Sequence, residues 1–253
     1  MRTTRPWASL ALAAVLAAGC AGTPDSVPDP ERAAAANADL GIEYLRNGDE
    51  ARAIRTLEKA LDYDPRHVDA HWALAIAHGR LNENDAADRH YRRALDLQPR
   101  PEIRNGYGVF LCRTGRVDEA LAQLEDAADN PRYPDAADAL ANAGLCLARA
   151  GEAERADGYF RRALERNPRH RPTLAALAEQ SLERGDNLRA RGFFQRLEDT
   201  AGPKTPLADE WLLLGARIES ALGEREAAEA YLQRYNDRNP GDRRTLDQLD
   251  DDA

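Results

Sequence analysis

The chain has 253 residues, with 44 acidic against 35 basic side chains and a formal net charge of −9. That balance excludes the basic footprint of a nucleic-acid-binding protein, so no nucleic-acid partner is expected. Charged residues make up 31% of the chain and aromatics only 6%, which suits closely stacked, alanine-rich amphipathic helices better than a β-rich core.

Arg2 and Arg5 precede an apolar run from Trp7 to Ala18. A run of about twelve residues is too short for a mature spanning helix and fits the apolar region of an export signal. It leads into Leu16-Ala17-Ala18-Gly19-Cys20. Small residues before a cysteine at this distance resemble a bacterial lipoprotein signal, which implies removal of residues 1–19 and lipidation of Cys20. An ordinary signal peptide with a coincidental cysteine is the alternative. Ala21, where an aspartate would retain such a lipoprotein at the inner membrane, implies sorting to the outer membrane with the protein facing the periplasm. Residues 20–33 include Gly22, Pro24, Pro28 and Pro30 and read as a proline-stiffened tether between lipid and fold.

From Ala34 onward the chain repeats itself. The first unit carries Leu40, Gly41 and Tyr44, a Gly48-Asp49 turn, then Ala53, Leu57, Ala60 and Pro65. The second, from Val68, carries His71, Leu74, Ala75 and His78, then Ala87, Tyr91, Ala94 and Pro99, so that its second half lies 34 residues after the first unit's. The third starts near Pro101 with Tyr107, Gly108, Leu111 and Gly115, followed by Ala120, Leu124 and Ala127. The register then slips by two residues across Pro131-Arg132-Tyr133-Pro134, where two prolines force an extended connection. The fourth unit restarts at Ala137 and the fifth near Arg171. After a Gly202-Pro203-Lys204-Thr205-Pro206 loop, the sixth starts near Ala208 and closes at Pro240. Asp247 to Ala253 reads as a frayed acidic tail.

Apolar residues at helical spacing, with Gly48, Asn82, Gly115, Gly151 and Gly185 closing the first helix of each unit, predict helix-turn-helix hairpins. A 34-residue period with small residues at fixed positions and a closing proline resembles the tetratricopeptide repeat. The predicted fold is therefore all-α: a right-handed superhelical solenoid of about six such repeats over residues 34–246. Such stacks present a concave face to other proteins. In tetratricopeptide folds the first helices line that groove. In this register they offer Ile42, Leu45, Trp72, Ile76, Arg80, Asn105, Val109 and Arg113, with Leu145 and Arg149 beyond. His71 and Trp72 compete for one core position; the register puts His71 inside and Trp72 in the groove, and the swapped arrangement is the alternative.

Once Cys20 carries lipid, Cys112 and Cys146 remain, on the first helices of adjacent units. In an oxidising compartment they suggest one disulfide, the alternative being two buried thiols. His67, His71 and His78 are spaced so as to invite a metal reading, but His71 and His78 occupy packing positions of the repeat, and no metal site is expected. No phosphate-binding loop and no nucleophile elbow occurs, so the chain reads as a monomeric, non-catalytic binding protein without cofactor.

A more specific block is Asn105-Gly106-Tyr107-Gly108-Val109-Phe110-Leu111-Cys112 with Gly115. Together with Tyr133, Asn142-x-Gly144-x-Cys146, the Tyr159–Leu164 run and the Cys20 signal, it resembles the type IV pilus biogenesis lipoproteins of the PilF/PilW family. Gly106 departs from that pattern, which more often has a second asparagine there. The resemblance implies six repeats, a disulfide between Cys112 and Cys146, and a role at the outer membrane in helping the pilus secretin, or another pilus-assembly protein, to localise and assemble, or in stabilising assembled pili. The rival readings are a general periplasmic adaptor for envelope proteases or peptidoglycan enzymes, and a scaffold in outer-membrane protein assembly.

Overall fold

The structure, a computed structural model, describes residues 29–251; Cys20 and the leader lie outside them. Twelve helices pair into six antiparallel hairpins: α1 (Pro30–Arg46) with α2 (Glu50–Tyr63), α3 (Val68–Arg80) with α4 (Asn84–Leu97), α5 (Pro101–Arg113) with α6 (Val117–Ala128), α7 (Ala136–Arg149) with α8 (Ala153–Arg166), α9 (Arg171–Glu183) with α10 (Asn187–Glu198), and α11 (Asp209–Ala221) with α12 (Arg225–Arg238). They stack as a right-handed tetratricopeptide solenoid. A short α13 (Leu246–Asp251) closes its C-terminal end.

Each hairpin turns where the sequence places a residue suited to left-handed backbone. Gly115 has φ +80°, and Asn82, the non-glycine counterpart in repeat two, has φ +59°. Asparagine tolerates this region better than other side chains. The two helices of a hairpin then close onto a small residue. A Cβ on Gly108 would stand 2.5 Å from Leu124 Cγ and 3.1 Å from the Ala120 carbonyl oxygen, so α5 rests its backbone directly on α6. Small residue thus meets the bulky Leu124 as well as the expected small partner Ala120.

Two predicted boundaries are corrected. The tether does not reach residue 33: α1 starts at Pro30, with the Asp29 carboxylate accepting from the Glu31 N–H at 3.2 Å, a capped start in which proline costs nothing. The acidic tail is helical to Asp251, because Leu246 and Leu249 are buried against Ala216, Ala228 and Leu232.

The register slip is absorbed by packing. Tyr133 is buried with Ala127, Ala128, Ala136 and Leu140 between α6 and α7. On the other side of the same joint Cys112 of α5 is bonded to Cys146 of α7, with their Cα atoms 5.6 Å apart. Consecutive first helices touch along the stack, α1 with α3, α5 with α7, α7 with α9 and α9 with α11, whereas α3 and α5 stand further apart. Aromatic side chains hold that wider joint: Tyr91 of α4 stacks on Tyr107 at 5.1 Å and packs against Phe110 at 5.5 Å between centroids.

Candidate partner-binding face

The predicted groove residues sit on α1, α3 and α5, and the structure sorts them by depth. Val109 is 43% exposed, Arg80 and Arg113 are exposed, and Ile42, Trp72, Ile76 and Asn105 are half-buried. Leu45 is corrected. It is 5% exposed, packed in the core of the first two repeats, and Arg80 crosses over it to donate from Nη1 to its carbonyl at 2.7 Å.

His71 and Trp72 divide as their chemistry asks. His71 is buried, with Nε2 against the Pro65 carbonyl at 3.1 Å and Nδ1 against His90 Nδ1 at 3.0 Å. Trp72 lies at the edge of the core formed by Tyr91, Ile103, Tyr107 and Phe110. The Arg100 guanidinium stands 5.3 Å over its ring, held there by an ion pair to Asp69, a cation–π arrangement that fixes both side chains. The indole Nε1 is buried and has no acceptor.

Arg80 and Arg113 are tied to the scaffold. Arg80 also reaches Glu50 at 3.3 Å. Arg113 donates from Nη2 to the Gly79 carbonyl and stands 5.8 Å over the Phe110 ring. Asn105 Oδ1 accepts from Asn142 Nδ2 at 2.9 Å, which links α5 to α7 beside the disulfide. The result is a strip running across α1, α3, α5 and α7 in which apolar surface alternates with pinned guanidinium groups, the side-chain types that anchor protein interfaces.

Between α3 and α5 the strip deepens into a pocket of about 130 Å³ lined by Ile76, Arg80, Tyr91, Gly106, Val109 and Arg113, among others. Four of these are predicted groove residues. Tyr91 and Gly106 are not. Tyr91 belongs to a second helix and enters from below, and burial pushes its hydroxyl pKa up to about 12. The sequence signal for Gly106 was a glycine in mid-helix, where it costs stability. A larger hollow of about 600 Å³, bordered by Leu182, Arg217 and Leu249, contains none of the predicted residues.

Among the described residues no group of three or more histidine, cysteine or acidic side chains is placed to hold a metal, and no helix is long and apolar enough to cross a membrane. His71, His78 and His90 instead form a ring cluster, with His78 and His90 stacked at 5.5 Å.

A tetratricopeptide repeat family pattern matches residues 38–87, 73–131 and 113–171. The chain is 32% identical over 227 residues to the type IV pilus assembly protein PilF of Pseudomonas aeruginosa, covering 87% of this chain and 88% of that protein. Its fold matches a solved structure of Pseudomonas aeruginosa PilF with a TM-score of 0.67 and 29% identity, over 84% of this chain and 95% of that one. It matches the crystal structure of PilW, described as a widely conserved type IV pilus biogenesis factor, with a TM-score of 0.69 and 32% identity, over 83% and 94% of the two chains.

Proposed function

The chain belongs to the PilF/PilW family of tetratricopeptide-repeat proteins of type IV pilus biogenesis, and from that premise we propose that it is a non-enzymatic docking lipoprotein of the outer membrane that helps the pilus secretin reach that membrane and form its multimer. The observation that carries this reading is the strip over α1, α3, α5 and α7. Trp72, Ile76 and Val109 supply apolar contact area and Arg80 and Arg113 supply fixed charge, a surface matched to a partner segment laid across the first helices.

Anchoring belongs to the same reading. Lipid on Cys20, with more than one acyl chain, would exceed the marginal hold of a single chain. Eight residues separate Cys20 from Asp29, which at full extension keeps the start of α1 within about 30 Å of the bilayer. The solenoid would then work close to the membrane face where a secretin ring inserts.

Deleting the gene is expected to abolish SDS-resistant secretin multimers and twitching motility. The wild-type gene should restore both and Cys20→Ala should not, because the unanchored protein loses its membrane proximity. Normal secretin multimers together with normal piliation in the deletion strain would sink the proposal.

A further inference from the structure

Where α3 and α5 part, two polar atoms without partners converge on one missing side chain. A Cβ on Gly106 would lie 3.5 Å from Trp72 Nε1 and 3.6 Å from the Tyr91 hydroxyl. Trp72 Nε1 is buried and unpaired. Tyr91 is 4% exposed, and its hydroxyl makes no hydrogen bond among the described residues, although it lines the pocket. Buried polar groups are seldom left unmade, and an unpaired indole N–H beside an unpaired hydroxyl that lines the pocket marks a site that a ligand completes.

The chemistry of that space is one-sided. An indole N–H only donates, a phenol hydroxyl can donate, and a guanidinium has five N–H donors and no acceptor. Arg80 and Arg113 flank the opening, Arg80 held by the Leu45 carbonyl and the Glu50 carboxylate through Nη1 and Arg113 by the Gly79 carbonyl, each with further N–H groups to offer. No carboxylate lines the pocket. Ile76 and Val109 supply apolar walls, and about 130 Å³ accommodates a carboxylate with the few carbons that carry it. The strip continues on both sides, toward Ile42 and toward Leu145, so a chain running through can enter the pocket with a side chain and needs no chain end there.

We propose that this pocket receives the carboxylate of an aspartate or glutamate side chain on the partner segment docked across α3 and α5, with the Tyr91 hydroxyl, Arg80 and Arg113 as its donors and the Trp72 indole N–H next to it behind Gly106. The proposal rests on the docking reading above and adds the feature by which the segment is chosen: an acidic residue between apolar neighbours.

The test uses the purified protein labelled with ¹⁵N at tryptophan, the Trp72 indole signal being assigned with Trp72→Phe. Titration with N-acetyl-aspartate amide is expected to shift the Trp72 indole saturably and to leave that of Trp211 in place. N-acetyl-asparagine amide should shift neither. Gly106→Ala puts a methyl group into the pocket at ordinary contact distance and favours the helix; it should raise the melting temperature and abolish the shift. Tyr91→Phe should weaken the aspartate probe about tenfold, as expected for loss of one hydrogen bond to a charged group. A silent Trp72 indole, or an unchanged shift in folded Gly106→Ala, overturns the proposal. A response to N-acetyl-alanine, which carries only a terminal carboxylate, in place of the aspartate probe overturns the assignment to a side chain. Failure here with secretin multimers lost on gene deletion removes the pocket and leaves the docking reading; an aspartate response with normal multimers removes the docking reading and leaves the pocket.

Discussion

At Gly108 a single hydrogen in place of a side chain sets the distance between two helices. Leucine there would have to displace Leu124, whose Cγ lies 2.5 Å from the position of the new Cβ. Gly108→Leu is therefore expected to cost about 1–3 kcal/mol through overpacking, seen as a lower urea midpoint with an unchanged slope. Gly108 could be read from the repeat, because a small residue recurs at that position. His90 could not. It lies on α4, and nothing in sequence spacing joins it to His71 and His78 until the hairpin closes. Burial lowers its pKa to about 4, with the neighbouring positive charge of His71, His78 and Arg89 acting in the same direction. The unfolded chain therefore binds a proton at higher pH than the folded one. Stability from this group is intact above about pH 6.5 and falls as pH drops toward 4, by about 1–2 kcal/mol once the partial exposure of the ring is allowed for. Urea midpoints at pH 7.5 and 5.0 should drop less in His90→Gln than in the wild type.

At the scale of elements, the α5–α7 joint is where the regular repeat is broken and covalently secured. Cys112 and Cys146 are 34 residues apart in sequence. Closing a loop of that length contributes about 3–4 kcal/mol in the chain-entropy treatment. Reductant should lower the urea midpoint of the wild type correspondingly and leave that of the double variant Cys112→Ala, Cys146→Ala unmoved; equal midpoints for oxidised and reduced wild type would show that the bridge adds nothing to packing. The adjacent α3–α5 joint has no covalent link and is held by ring packing among Tyr91, Tyr107 and Phe110, with the Arg113 bond to the Gly79 carbonyl and the Arg100–Asp69 ion pair at its edges. The hairpins themselves were legible, because helix period, turn glycines and closing prolines are local signals. Local signals do not report how far apart two first helices stand, since that is set by the side chains wedged between them from a third helix.

At the scale of the whole molecule, the described helices pack mainly on those of their own and the adjoining repeat, so the ends of the stack matter more than in a globular domain. α13 covers Ala228 and Leu232 of the last hairpin. Truncation after Thr245 should expose that apolar surface, and amide exchange should accelerate in α11 and α12 while α3 to α6 keep their protection. Uniform loss of protection along the chain would instead mean that the stack unfolds as one unit.

The sequence by itself determined the repeat, the number of hairpins, the turns, the first-helix face and the block shared with the pilus family, because each is written in spacing along one chain. Tertiary structure alone decided that Leu45 is core, that His90 joins His71 and His78, that residues 247–251 are helical, and that the gap over Gly106 gathers Trp72 Nε1 and the Tyr91 hydroxyl. Those outcomes depend on how much each helix is rotated and spread against its neighbours. That geometry follows from the packing of side chains distant in sequence, which periodicity does not encode.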